Sequence, residues 1–182
     1  QKSRVNKILI KGLQDIEGVT FHDLYQTYPE MDIEVKEEQK LVEEHDVIVF
    51  HHPFYWYSSP AILKEWQDLV LTHNWAYGSQ GNELKGKMFL QVMTTGAGQE
   101  TYCEKGHNRM TIRQLLAPFE QTANLCQMKY LPPMIIPGTY SITKEEVIKY
   151  KENYRNLLLG LRDEKINLDD LVNKQYFNEY FK

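Results

Sequence analysis

The sequence predicts a three-layer α/β sandwich on a parallel five-stranded sheet of order 2-1-3-4-5. Three observations carry this. Short apolar, β-branched runs alternate with segments of helical periodicity along the chain. Val47-Ile-Val-Phe50 reads as a buried strand and leads through an aromatic loop into an amphipathic helix. Lys87 to Thr94 reads as a second buried strand, followed by the small-residue loop Thr94-Thr-Gly-Ala-Gly98. Strands joined through helices pair in parallel, with right-handed crossovers.

The elements follow in order. Val5, Ile8, Leu9 and Leu13 fall at helical spacing directly after Gln1-Lys-Ser3, where a doubly wound sheet normally has a strand. The expectation is that a first strand is missing from the chain as given. After Gly18, Val19-Thr-Phe-His-Asp23 reads as a strand, and Tyr25 to Ile33 as a loop containing Tyr28-Pro29. Val35 to His45 is a charged surface helix, and Asp46 to His51 the next strand. Ser59 caps the following helix, with Pro60 at the first helical position, where its missing N–H costs nothing. Along it Ile62, Leu63, Trp66, Leu69 and Val70 face inward. His73 to Gly86 is a connection rich in Gly, Asn and Ser, and the strand Lys87 to Thr94 follows it. Thr111 to Cys126 is helical, with a kink expected at Pro118. Met134-Ile-Ile136 is the last strand, between Pro132-Pro133 and Pro137-Gly138. Thr143 and Glu146 form a capping box for a helix to Arg162. Leu171, Tyr176, Phe177, Tyr180 and Phe181 make the tail, from about residue 165 to residue 182, too apolar to float free. A single domain over residues 1–182 is expected.

A chain of 182 residues, 42% hydrophobic and 25% charged, suits one globular domain that buries roughly 70% of its unfolded surface. The net charge of −4 argues against general nucleic-acid binding, which asks for a basic face. Cys103 and Cys126 form no disulfide framework or metal pattern, and no metal site is expected. No apolar run approaches the roughly 18 residues of a membrane span, and there is no signal peptide. A cytoplasmic protein is expected.

Chemistry is expected at the carboxyl edge of the sheet, where open α/β proteins bind ligands. Three loops meet there. Ser3, Arg4, Val5 and Asn6 stand at the N-terminus of the first helix, where backbone N–H groups and the helix dipole make a phosphate seat; the plain alternative is a helix cap. Pro53, Phe54, Tyr55, Trp56 and Tyr57 form an aromatic wall suited to a planar ring, or else core filler. Thr94, Thr95, Gly96 and Ala97 let a ligand approach the backbone closely. Beyond them, Tyr102 and His107 offer a hydroxyl donor and a group titrating near neutrality; the plain reading of His107 is a solvated loop residue. His51 and His52 lie at the strand end and have weaker claims, as do His22, His45 and His73. Ser58 and Ser59 lack the setting of a nucleophile elbow.

Pro53-Phe-Tyr-Trp-Tyr-Ser-Ser-Pro-Ala-Ile-Leu-Lys-Glu-Trp66, Trp75-Ala-Tyr-Gly78, Thr94-Thr-Gly96 and Pro118-Phe-Glu-Gln-Thr122 resemble the flavodoxin-like NAD(P)H:quinone oxidoreductases. The branch is the bacterial one containing general stress protein 14 and the ancillary subunits of glutathione-gated potassium efflux systems. The resemblance runs from Ser3 to about Pro137. It implies that the Ser3–Asn6 turn holds a flavin phosphate and that Phe54 to Tyr57 and Thr94 to Ala97 hold the isoalloxazine. Tyr102 and His107 would steady the charge of the reduced flavin and hydroquinone.

The activity so implied is a flavin-dependent NAD(P)H dehydrogenase, reducing quinones or similar electrophiles by ping-pong two-electron hydride transfer. FMN is expected ahead of FAD, since the chain leaves little structure for an adenine. Such enzymes are typically homodimers, and the Trp66–Tyr77 region and the tail are candidates for that contact. Two rival readings remain. One is an ancillary regulatory subunit docked on a membrane potassium efflux transporter; the other is a one-electron carrier, against which the open aromatic loop speaks.

Overall fold

The computed structural model describes residues 3–181. Its centre is β2 (Met88–Thr94), an apolar run buried along nearly its whole length because helices cover both of its faces. β1 (Val47–Pro53) lies parallel to it, residue for residue from Val47 opposite Met88 to Pro53 opposite Thr94. On the other side β2 pairs with β3 (Lys129–Tyr130) at Met88 and Phe89, and with β4 (Met134–Ile136) from Val92 to Thr94. These two short strands form one parallel line: the Leu131 N–H still reaches Phe89 O, and the ladder lapses only at Pro132 and Pro133, which have no N–H to give. The sheet is thus four-stranded and parallel throughout.

Period-2 alternation divides the core. Phe89 and Met93 of β2, with Phe50 of β1, pack under α3 (Val35–Glu43), α4 (Ala61–Val70) and α6 (Ala117–Leu125). Leu90 and Val92 pack on the opposite face against α1 (Arg4–Ile10) and the long α7 (Lys144–Arg162). The capping box of Thr143 and Glu146 opens α7 as expected. The tail docks too. Phe177 is fully buried, its N–H donates to Pro133 O, and the Asn178 amide pairs with both Ile135 N–H and Ile135 O, covering the outer edge of β4.

Four element expectations are corrected. Val19 to Asp23 forms no strand, because no strand of the described residues runs beside it to share a ladder. Side chains hold this stretch instead. Thr20 Oγ1 meets His45 Nε2 at 2.7 Å, and the buried Glu38 carboxylate accepts from His22, Tyr28 Oη and Trp66 Nε1, each at 2.8 Å. A short α2 (Leu24–Thr27), capped by Asp23, follows where a loop was expected. Ser59 does not cap α4; Pro60 occupies the N-cap position, with no side-chain bond to the helix. Finally, Thr111 to Cys126 is two helices, α5 (Ile112–Leu115) and α6, because Pro118 sits in the first turn of the second and cannot continue the first. No helix among the described residues is long and apolar enough to cross a membrane.

Candidate functional site

The connections leaving β1, β2 and β4 meet at one edge, and hydrogen bonds tie them to each other and to the start of α1. Phe54 N–H donates to Thr94 O at 2.8 Å, joining the aromatic loop to the loop after β2. Thr95 N–H donates to Ile136 O at 3.0 Å, and Gly138 N–H to Ala97 O at 3.0 Å, joining that loop to the end of β4. Ile142 N–H returns to Gly138 O, and Arg4 reaches Ile142 O from the start of α1. The circuit closes at Asn6, whose Oδ1 lies 3.1 Å from His51 Nε2, two residues before Pro53.

Each of the three expected loops therefore stands where the sequence places it. Ser3 is the N-cap of α1, its Oγ accepting from Asn6 N–H at 3.2 Å, so its first duty is the capping one. Val5 points into the core rather than to the edge and offers only its backbone there. Asn6 is almost wholly buried and carries its amide toward His51. Pro53 ends β1, and Phe54 packs edge-on against Tyr57 and Tyr102, with centroids 6.3 and 6.0 Å away. Tyr55 to Ser58 make a tight turn with reciprocal backbone bonds, and Trp56 and Tyr57 take φ of +49° and +62°. That left-handed geometry is strained for side chains of this size. Trp56 is 94% exposed, so packing does not explain it.

Thr94 and Thr95 are buried, with the Thr95 hydroxyl spent on Ala97 O at 2.8 Å, while Gly96 and Ala97 line the open face. The backbone N–H groups of Trp56, Tyr57, Gly96 and Ala97 have no acceptor among the described residues. These four donors stand in two adjoining loops at the surface, open to water or to the acceptors of a ligand. Tyr102 is largely buried and its pKa is raised, first by burial and then by the neighbouring Tyr57 and Tyr140 phenols. It remains a protonated donor at neutral pH. His107 is exposed and makes no hydrogen bond to the described residues. Its neighbour Asn108 does the joining there: Oδ1 accepts from Tyr57 Oη at 3.1 Å, and Nδ2 donates to Thr101 Oγ1 at 3.1 Å.

Sequence reasoning missed three features of this edge. Asn108 carries no signal as a lone loop residue. Tyr140, on the turn after β4, could have been found by applying to the last strand the rule applied to the other two. The third is a chain of polar groups behind the aromatic loop. Tyr130 Oη donates to Gln91 Oε1 at 2.7 Å, the Gln91 amide donates to His52 Nε2 at 3.3 Å, and His52 Nδ1 donates to Pro53 O at 2.9 Å. Burial holds the pKa of His52 down to about 4, and that of His51 to about 3, so both rings are neutral. Phe119 stacks on His52, which gives the Pro118–Thr122 motif a place behind the loop. A groove of about 570 Å³ with mixed charge, bordered by Asp46, Lys87 and Lys129, opens at the opposite, amino edge of the sheet and shares no residue with this site.

The chain is 47% identical over 147 residues to general stress protein 14 of Bacillus subtilis, covering 81% of this chain and 84% of that protein. It is 48% identical over 136 residues to the glutathione-regulated potassium-efflux system ancillary protein KefG of Pectobacterium carotovorum, covering 75% of this chain and 74% of that protein. The crystal structure of general stress protein 14 from Treponema denticola in complex with FMN superposes with a TM-score of 0.84 at 37% identity, over 88% of this chain and 92% of that one. An NADPH-quinone reductase from P. pentosaceus gives 0.79 at 30% identity, over 86% and 89%. The model of the flavodoxin-like fold matches residues 1–158, and the chain belongs to that family.

Proposed function

We propose that the carboxyl-edge shelf binds FMN and that the protein is an NAD(P)H dehydrogenase reducing quinones or similar electrophiles. The observation that carries this reading is the pair of facing loops with four unpaired N–H donors beside exposed aromatic rings. An isoalloxazine is a planar aromatic system edged with carbonyl and nitrogen acceptors, so it matches both features. Gly96, without a Cβ, lets the Tyr140 ring lie close against this loop. Arg4 and the Ser3–Asn6 turn stand at the far end of the same circuit, where a phosphate would find positive charge and N–H groups.

FMN held by these loops would supply the two-electron redox chemistry between NAD(P)H and the acceptor. The chain's own residues bind, orient and exclude water. The Phe54–Tyr57 wall and the Thr94–Ala97 loop would hold the ring so that one face stays open to nicotinamide and acceptor in turn. Tyr102, kept protonated, donates toward the oxygen that gains negative charge as a quinone becomes a hydroquinone. His107 lies outside these contacts and is assigned no step. The test is to reconstitute the purified protein with FMN and follow NADPH oxidation with menadione as acceptor. Menadione-dependent turnover is expected, and its absence in protein that has taken up flavin refutes the reductase reading.

The similarity to KefG favours a second role on the same fold, as the ancillary subunit of a potassium efflux transporter. Co-purification with such a transporter from detergent-solubilised membranes tests it; a chain that elutes free of it counts against this role.

A further inference from the structure

Tyr140 is 93% exposed, yet the backbone on either side of it is closely fixed. Its turn is pinned by Gly138 N–H to Ala97 O at 3.0 Å, Thr139 N–H to Thr95 O at 2.9 Å, and Ser141 and Ile142 N–H to Gly138 O, both at 2.9 Å. The ring lies over Gly96: a Cβ there would stand 2.5 Å from Tyr140 Cε2 and 3.1 Å from Cζ. It is close enough to Tyr102 to act on that phenol electrostatically, as Tyr57 does from the aromatic loop. A ring that buries so little contributes almost nothing to folding. It is nevertheless a rigid aromatic group on an anchored stem, and ordering it costs only two torsions.

We propose that Tyr140 is the acceptor-selecting residue of the site, the exposed face of its ring, which lies over Gly96, packing on planar aromatic electrophiles. This rests on the flavin reductase reading and adds to it the residue that favours flat aromatic acceptors over those without a planar face. Removing the ring leaves the fold intact and takes away one stacking partner, a loss of about tenfold in affinity for such an acceptor.

The test compares wild-type, Tyr140→Ala and Tyr140→Phe proteins, each loaded with FMN. Two acceptors are used, menadione and ferricyanide; the second presents no planar face. Menadione binding to the oxidised protein is also measured by fluorescence quenching, without turnover. The ratio of kcat/KM for menadione to that for ferricyanide falls about tenfold in Tyr140→Ala, mainly through KM, and the menadione Kd rises to match. Tyr140→Phe, which keeps the ring, stays within about threefold of wild type on both measures. A Tyr140→Ala protein with the wild-type ratio and the wild-type menadione Kd overturns the proposal. A wild-type protein that reduces neither acceptor refutes the reductase reading, and the menadione affinities alone then decide on Tyr140.

Discussion

Replacing Trp56 by Asn should make the apo-protein more stable and a poorer flavin binder. Trp56 sits at φ +49°, beside Tyr57 at +62°, in the turn closed by the Tyr55–Ser58 bonds. A left-handed conformation costs an ordinary L-residue roughly 1–2 kcal/mol, and Asn bears it more easily because its short side chain bonds locally. With the indole 94% exposed, its removal forfeits almost no burial. The net expectation is a gain of roughly 0.5–1 kcal/mol, or about 1–4 °C in Tm for a chain of this size. Calorimetry of the flavin-free protein measures this. The loss of an aromatic face should meanwhile weaken FMN by roughly 2- to 12-fold. A Trp56→Asn protein that melts lower than wild type would show that the turn is not strained. A gain in stability with unchanged FMN affinity would show that the strain is not kept for the flavin.

Three further outcomes follow from the burial pattern. His51 and His52 stay neutral in the folded state, with pKa values near 3 and 4 against the usual 6.5, so below pH 6.5 the unfolded chain takes up protons the folded one refuses. Each therefore costs up to about 1.4 kcal/mol of stability per pH unit as pH falls, and a urea-denaturation series from pH 6.5 to 4 should show a shallower acid limb for His51→Gln than for wild type. Phe177→Ala empties a fully buried site and should cost about 3–5 kcal/mol in urea denaturation; a loss under about 1 kcal/mol would mean that the tail is not part of the core. Glu38→Leu leaves Trp66 Nε1–H and Tyr28 Oη–H without their acceptor and should cost about 3 kcal/mol near pH 6. Burial raises the pKa of Glu38 but its three donors outweigh that and lower it, so its share is present above pH 4.5 and lost as acid protonates it; the His22 pKa, raised from 6.5 by that bond, adds a share that is present below pH 6.5 and lost as pH rises through the raised value.

What the residues announced and what they concealed divide along physical lines. β1, β2, α4 and α7 were legible because each is long enough for its period to show, and Thr143 with Glu146 marks where α7 begins. Val19 to Asp23 has the composition of a strand, but a strand exists only with a partner, and pairing is not written in the segment itself. β3 was invisible because two residues carry no period, and its pairing depends on the stretch before Pro132 lying along β2. At the site, the aromatic and small-residue loops were readable from their position after strands. Residues that act through a distant neighbour were not. Asn108 matters through Tyr57, and His51 through Asn6, partners 51 and 45 positions apart in the chain. Tyr140 lay in a loop to which the same positional rule applied, but its approach to Gly96 is a fact of three dimensions.

The central claim is that three separate loops form one flavin shelf, and titration of FMN into the flavin-free protein tests it most directly. Quenching of flavin fluorescence should saturate at one equivalent with a micromolar or tighter Kd, and riboflavin, lacking the phosphate for the Ser3–Asn6 end, should bind about tenfold or more weakly. Fluorescence that falls without saturating, or FMN and riboflavin binding alike, would contradict it.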